Sequence, residues 1–180
     1  MVEILVFNRW SASGIAVADE GLVRYIVLNP KIVPKTGARY AGKRFHKSKK
    51  HVKSSGHCTG KTSTVYNIVE KTFGLIEQRI KENPIKVFVQ ALVNAAPREE
   101  IVTIEYGGAR YPKAVECAPQ RRVDVALRFF VQGAYEKSFN KKKSIEEALA
   151  EELIAAYRLD PKSWAISKKN EVERQADASR

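Results

Sequence analysis

The sequence predicts a mainly α protein: a single-domain helical bundle with a protruding β-hairpin and a basic, extended N-terminal region. Three observations carry this. From residue 62 onward, apolar residues recur at helical spacing in five blocks. One stretch, about residues 99–117, alternates apolar and polar residues around a Gly-Gly pair instead. Residues 35–60 are basic, lack clear periodicity and are interrupted by Gly37, Gly42, Gly56 and Gly60. The chain therefore divides into an N-terminal extension and basic arm (1–61) and a helical core carrying the hairpin (62–180).

Residues 1–34 are expected to be irregular with short extended pieces. Tyr25-Ile-Val-Leu28 is a candidate strand stopped by Asn29-Pro30. From Thr62, the series Val65, Ile68, Val69, Phe73, Ile76 and Ile80 marks an amphipathic helix. Asn83 then supplies an N-cap and Pro84 a first helical residue. Ile85, Phe88, Val89, Leu92 and Val93 form that second helix's stripe, which Pro97 ends. Val102, Ile104 and Tyr106 share one strand face, and Tyr111, Val115 and Cys117 share a face of its partner. Gly107-Gly108 provides the positive φ of a tight turn. Pro112 cannot donate a ladder bond, so its edge must be free. A hairpin of this kind is marginal unless packed, which makes it a candidate contact surface. Pro119 opens a third helix with Val123, Ala126, Leu127, Phe130, Val131 and Ala134 inward. Ser144-Ile-Glu-Glu147 is a capping box for a fourth helix through Ile145, Leu149 and Leu153, ended by Asp160-Pro161. Ser167 is the candidate cap of a last helix through Val172 and Ala176.

Charge separates the two regions. The 180-residue chain has 32 Lys+Arg against 20 Asp+Glu, a net charge of +12. Between Gly21 and Val69 there is no acid, while eleven cations fall there: Arg24, Lys31, Lys35, Arg39, Lys43, Arg44, Lys47, Lys49, Lys50, Lys53 and Lys61. The remaining 21 of the 32 cations nearly balance the 20 acids. A block of like charge repels itself until a polyanion neutralises it, and nucleic acid releases counterions on doing so. A pI near 9.7 fits a nucleic acid or an anionic membrane surface. No run approaches the ~18 apolar residues of a membrane span; of the two partners, nucleic acid is expected and a membrane is not. The N-terminus holds Glu3 and no cationic leader, so no signal peptide is expected. Two cysteines, Cys58 and Cys117, are too few for a disulfide framework and fit a reducing cytoplasm.

Several constellations admit a sharp and a bland reading. Arg121 and Arg122 are expected at one helix start and Lys168 and Lys169 at another. There the macrodipole disfavours cations by roughly 0.3–1 kcal/mol each unless something compensates. Such pairs are either phosphate clamps or ordinary solvated charge. Two pairs in a chain with this charge block favour phosphate. Arg128 lies seven residues after Arg121 on the same helix face, and Lys141, Lys142 and Lys143 follow in a loop. Tyr40 and Phe45 interleave with the arm's cations, as base-stacking groups or as anchors to the core. Gly60-Lys61-Thr62 invites a phosphate-loop reading, but Ser55 stands where that motif needs Gly, and no strand precedes it. His46, His51, His57 and Cys58 match no strong zinc spacing, and no metal or other cofactor is expected. Nothing resembles a catalytic triad, and Glu99-Glu100 and Glu146-Glu147 look like solvated or capping positions. The chain is expected not to be an enzyme.

A set of phrases in fixed order then points to one family: Arg39-Tyr-Ala-Gly-Lys-Arg-Phe45, Asn83-Pro-Ile-Lys-Val87, Ala95-Ala-Pro-Arg-Glu-Glu100, Tyr106-Gly-Gly108, Ala118-Pro-Gln-Arg-Arg122, Lys143-Ser-Ile-Glu-Glu-Ala-Leu-Ala-Glu-Glu-Leu153 and Trp164-Ala-Ile-Ser-Lys-Lys169. They resemble small-subunit ribosomal protein seven, numbered five in eukaryotes, and Arg24-Tyr-Ile-Val-Leu-Asn-Pro30 and Ile32-Val-Pro-Lys-Thr-Gly37 resemble its archaeal form. The resemblance implies a helical fold with a projecting hairpin. It implies a primary binder of the 3′ major domain of small-subunit rRNA that organises the head of the subunit. By position, Arg39, Lys43, Arg44, Lys47, Arg121, Arg122, Lys168 and Lys169 would carry rRNA contacts; Lys49, Lys50, Arg128, Lys141, Lys142 and Lys143 join them as candidates by their charge. The hairpin tip, Gly107, Gly108, Ala109 and Arg110, would reach exit-site tRNA and the mRNA exit region. Neighbouring head and platform proteins would be partners. The other reading is an extra-ribosomal RNA-binding regulator or RNA chaperone.

One stretch departs from the family. Relatives carry an apolar helix after the basic arm, whereas Lys49-Lys-His-Val-Lys-Ser-Ser-Gly-His-Cys-Thr-Gly60 is shorter and lacks the apolar stripe. The resemblance does not carry the family's first helix, or its rRNA contacts, onto these residues.

Overall fold

Residues 5–26 and 62–180 are described in the computed structural model of the chain. The expectations for the basic arm, including its six candidate contact residues and Tyr40, Phe45 and the histidines, lie outside the described residues.

The first described residues fold back as an antiparallel pair, β1 (Leu5–Val6) and β2 (Trp10–Ser11). Phe7 and Asn8 turn the chain at positive φ. That conformation is unusual for a bulky residue. Here the Phe7 ring is held by Tyr66, Phe73 and Trp10, with centroids 4.6, 5.8 and 5.9 Å away. A single helical turn follows, α1 (Glu20–Val23), capped by Asp19. Tyr25 and Ile26 do not begin a strand. Their amides bond back to the Leu22 carbonyl and close the turn.

The helical periods give α2 (Thr62–Ile80) and α3 (Pro84–Ala95). Asn83 caps α3 through its side-chain oxygen on the Ile85 amide (3.0 Å), while its amide nitrogen donates to the Ser11 carbonyl (2.7 Å). One residue thus starts a helix and fastens β2 to it. Ala96 is extended before Pro97, as the proline requires.

The hairpin is β3 (Glu99–Tyr106) and β4 (Ala109–Glu116), with Tyr106 opposite Ala109. Gly107 and Gly108 sit at φ 59° and 81°, both signs that a type I′ turn demands. Counting from this two-residue turn, Thr103 and Pro112 form a non-hydrogen-bonded pair, so the missing N–H of Pro112 faces away from β3.

The last helices are α4 (Pro119–Ser138), α5 (Ile145–Tyr157) and α6 (Trp164–Asp177). Ser144 caps α5 on the Glu147 amide as the capping box predicts. At the other end of α5, Leu159 is at φ 56°, with Asp160 N–H on the Ala155 carbonyl and Leu159 N–H on Ala156. That is a Schellman closure with leucine in the usual glycine position. The cap of α6 is Ser163, four residues before the expected Ser167. Asp160 first turns the chain by accepting from the Lys162 amide, and Ser163 then takes the Ile166 amide.

One core joins these parts. Phe73, Ile76, Val87, Leu92, Phe130 and Leu153 are buried together with Val6, Trp10 and Leu22 of the N-terminal segment. Fully buried alanines at 126, 148, 150, 156 and 165 let the helices approach closely. Val131 is not inward; it is 41% exposed. Gly133 takes the buried place, because a Cβ there would lie 2.9 Å from the Cβ of Trp164. Among the described residues, no helix is long and apolar enough to cross a membrane.

Candidate nucleic-acid interface

The start of α4 gathers two of the expected cations beside the hairpin root. Ala118 offers no side-chain cap, and Pro119 has no amide to orphan. Arg121 and Arg122 occupy the first turn, where the dipole cost calls for compensation. Both receive it from carboxylates. Arg121 forks onto Glu100 of β3, its Nε 3.1 Å and one terminal nitrogen 2.8 Å from the carboxylate oxygens. This charge-assisted pair raises the Arg121 pKa above the usual arginine value. Arg122 donates from Nε to the Pro97 carbonyl (3.1 Å) and from a terminal nitrogen to Asp19 Oδ2 (2.7 Å). Asp19 Oδ1 meanwhile accepts from the Gly21 amide at 2.9 Å. The Arg122 guanidinium, through its hydrogen bond above all, holds the Asp19 carboxyl below its ordinary range despite the opposing cost of burial. The two arginines differ in access: the Arg121 side chain is 49% exposed and that of Arg122 12%.

Lys168 and Lys169 are not at a helix start. With Ser163 as the cap, they fall in the second turn of α6. Lys168 pairs with Glu171 at 2.6 Å and lies over the Trp164 ring. Lys169 reaches across to the Asn94 carbonyl (3.0 Å), one of the acceptors left open at the end of α3. Their side chains therefore serve the packing of α6 in the isolated chain.

The loop after α4 divides its lysines. Lys141 is exposed and donates to the Glu136 carbonyl at 3.3 Å; Lys142 is exposed beside it. Lys143 pairs with Glu151, which Arg79 also approaches at 3.6 Å. Lys143 chiefly, with Arg79 adding to it, keeps the Glu151 carboxyl below its usual range. Arg128 is half-buried on the flank of α4. At the far end of the hairpin, Tyr106 is 81% exposed, and Ile104 and Tyr111 face the same side, also exposed. Arg110 and Glu105 face each other across the turn at 3.8 Å.

Sequence reasoning named the cations here and missed the acids that hold them. Glu100 was placed among solvated or capping carboxylates, and Asp19 was not singled out. Only the oddity of two arginines at an uncapped helix start signalled that compensating partners were needed.

Comparisons with known proteins find one family along the chain. The family described as ribosomal protein S7p/S5e matches residues 22–180. A small ribosomal subunit protein uS7 from Nanoarchaeum equitans is 48% identical over 198 aligned positions, covering 99% of this chain and all of the relative. Proteins of the same name from Methanothrix thermoacetophila and Archaeoglobus fulgidus are 45% and 44% identical, covering 97% and 99% of this chain and 99% and 96% of their own.

Proposed function

We propose, on the premise that this chain belongs to the ribosomal protein S7p/S5e family and is a structural constituent of the small ribosomal subunit, that it binds the 3′ major domain of the subunit's rRNA and organises assembly of the head. The archaeal relatives, similar from end to end, support the archaeal type. The observation that carries the rRNA reading is the segregation of charge, eleven cations and no acid between Gly21 and Val69. Neutralising phosphates there releases counterions and supplies affinity without reading sequence. The shape of folded RNA, met by the helical core, supplies selectivity. Exposed Lys141 and Lys142 and the accessible edge of Arg121 extend the basic surface onto the core. Arg128, Lys143, Lys168 and Lys169 are further candidate contacts. The hairpin, with its exposed Ile104, Tyr106 and Tyr111 and its Gly107-Gly108 tip followed by Ala109 and Arg110, faces exit-site tRNA and the mRNA exit region. Head and platform proteins are its protein neighbours, the cytoplasm its compartment, and its role is non-enzymatic.

The test is binding of the full chain to a transcript of the 3′ major domain across salt concentrations. Six to ten phosphate contacts would weaken binding by about 10³–10⁵ between 50 and 200 mM salt. A flat response, or equal affinity for arbitrary duplex RNA, would refute the reading. Co-sedimentation with small subunits in high-salt gradients separates this role from an extra-ribosomal regulator, which would wash off.

A further inference from the structure

We propose that Arg122 serves rRNA binding as a positioning residue, with Asp19 as its partner, rooting the basic arm and the hairpin on the core instead of contacting phosphate. The inference rests on the rRNA-binding reading above. Its geometric basis is that one guanidinium joins three segments of the chain. Arg122 lies on α4; its partners Pro97 and Asp19 are 25 and 103 positions away in sequence. Pro97 stands two residues before β3 begins. Asp19 caps α1, and the acid-free run starts two residues later at Gly21. The hairpin root and the start of the acid-free run thus meet at the two acceptors of a single side chain.

Access argues against a phosphate role. The Arg122 side chain is 12% exposed, and its Nε and one terminal nitrogen are engaged at 3.1 and 2.7 Å. A phosphate would have to displace a carboxylate held by both Arg122 and the Gly21 amide. Arg121 is also forked onto a carboxylate, Glu100, but its side chain is four times as exposed and its second terminal nitrogen lies outside that pair. Fixing the roots of the arm and hairpin before RNA arrives lowers the ordering cost of binding.

The electrostatic and positioning roles predict opposite signs for Asp19→Asn. Asparagine keeps the cap on α1 and removes one negative charge. Were charge all that mattered, losing an acid would tighten the grip on a polyanion. Positioning instead predicts that the full-length variant binds the 3′-major-domain transcript roughly three- to tenfold more weakly, because the roots are no longer pre-ordered. The slope of log Kd against log salt should not change, since no phosphate contact is lost. Arg122→Lys should behave alike: it keeps the charge, but a single ammonium cannot span both acceptors as the planar fork does. Amide exchange over residues 19–26 should quicken in both variants. Wild-type affinity in Arg122→Lys, or unchanged or tighter binding in Asp19→Asn, overturns the inference while leaving the rRNA reading intact. A flat salt response of the wild-type chain overturns both. Should Asp19→Asn fail to fold, Arg122→Lys carries the same comparison.

Discussion

Removing Glu152 should cost this fold as much as truncating a large core side chain. It lies on α5 with no exposed surface, facing α4 and α6. Lys137 of α4 donates to its Oε2 at 2.5 Å. The Ser163 hydroxyl and the Ala165 amide donate to Oε1 at 2.6 and 2.9 Å. One carboxylate therefore ties α4 to α5 and completes the cap of α6. Gly133 makes the room, since a Cβ there would come within 3.1 Å of Glu152 Cδ. In Glu152→Ala the Ala165 amide loses its partner in a buried place, and the Lys137 ammonium, on a side chain 32% exposed, must turn to water. Bonds to a charged acceptor contribute about 1.5–3 kcal/mol each, and breaking a buried pair costs about 3–5 kcal/mol. At about 2–4 °C per kcal/mol for a domain of this size, the melting point should fall by ~6–20 °C. Urea denaturation of the free protein, followed by circular dichroism, measures the loss directly. Glu152→Gln, which keeps an acceptor for Ala165, should lose about half as much. A Glu152→Ala loss below about 1 kcal/mol would put it among ordinary surface substitutions and refute the anchoring role.

Three further outcomes follow from local chemistry. Leu159→Gly should stabilise by about 0.5–1 kcal/mol in the same denaturation assay, because an exposed leucine in the left-handed region is replaced by the residue that tolerates it; a destabilised variant would contradict this. Asp19 and Glu151 both have carboxyl pKa values lowered in the fold. Their contribution is therefore present above the unfolded values near pH 4 and is lost as pH falls through the lower, folded ones. The urea midpoint should drop more steeply in acid for wild type than for Asp19→Asn, and parallel curves would exclude the pair as a source. Burial, with Glu100 adding to it, pushes the Cys117 thiol up to about 11. At pH 8 only about one thiol in a thousand is then the reactive thiolate, so in a Cys58→Ser chain alkylation should be slow until denaturant is added; equal rates with and without denaturant would contradict the burial.

What the sequence disclosed and what it hid have a common physical cause. Local chemistry with one strong solution was legible: Asn83-Pro84 starts a helix, Gly107-Gly108 turns a hairpin, and Ser144 caps α5, each through bonds within a few residues. Periodicity disclosed Phe73, Ile76 and Phe130 as core because an apolar stripe has no rival place to go. It misplaced Val131, since one helix position decides inward from outward and Gly133 carries no hydrophobic signal. The close approach of Trp164 that requires Gly133 comes from another helix. Glu152 was illegible for the same reason: within Glu-Glu-Ala-Leu-Ala-Glu-Glu it is one of four acids, and only the donors on α4 and at the start of α6 distinguish it. The cations followed this division as well. A sequence displays a positive charge but not its partner, so Arg121, Arg122, Lys168 and Lys169 looked alike. The fold separates them into a forked surface pair, a largely buried staple, a lysine paired along its own helix and a lysine that closes the end of α3. For a protein whose partner is a polyanion, that separation is the useful result: it turns a count of charges into a smaller set of side chains with an accessible edge. Asp19, one acid placed two residues before the acid-free run, is where the count and the geometry disagree most, since electrostatics alone would remove it and the fold uses it to hold Arg122.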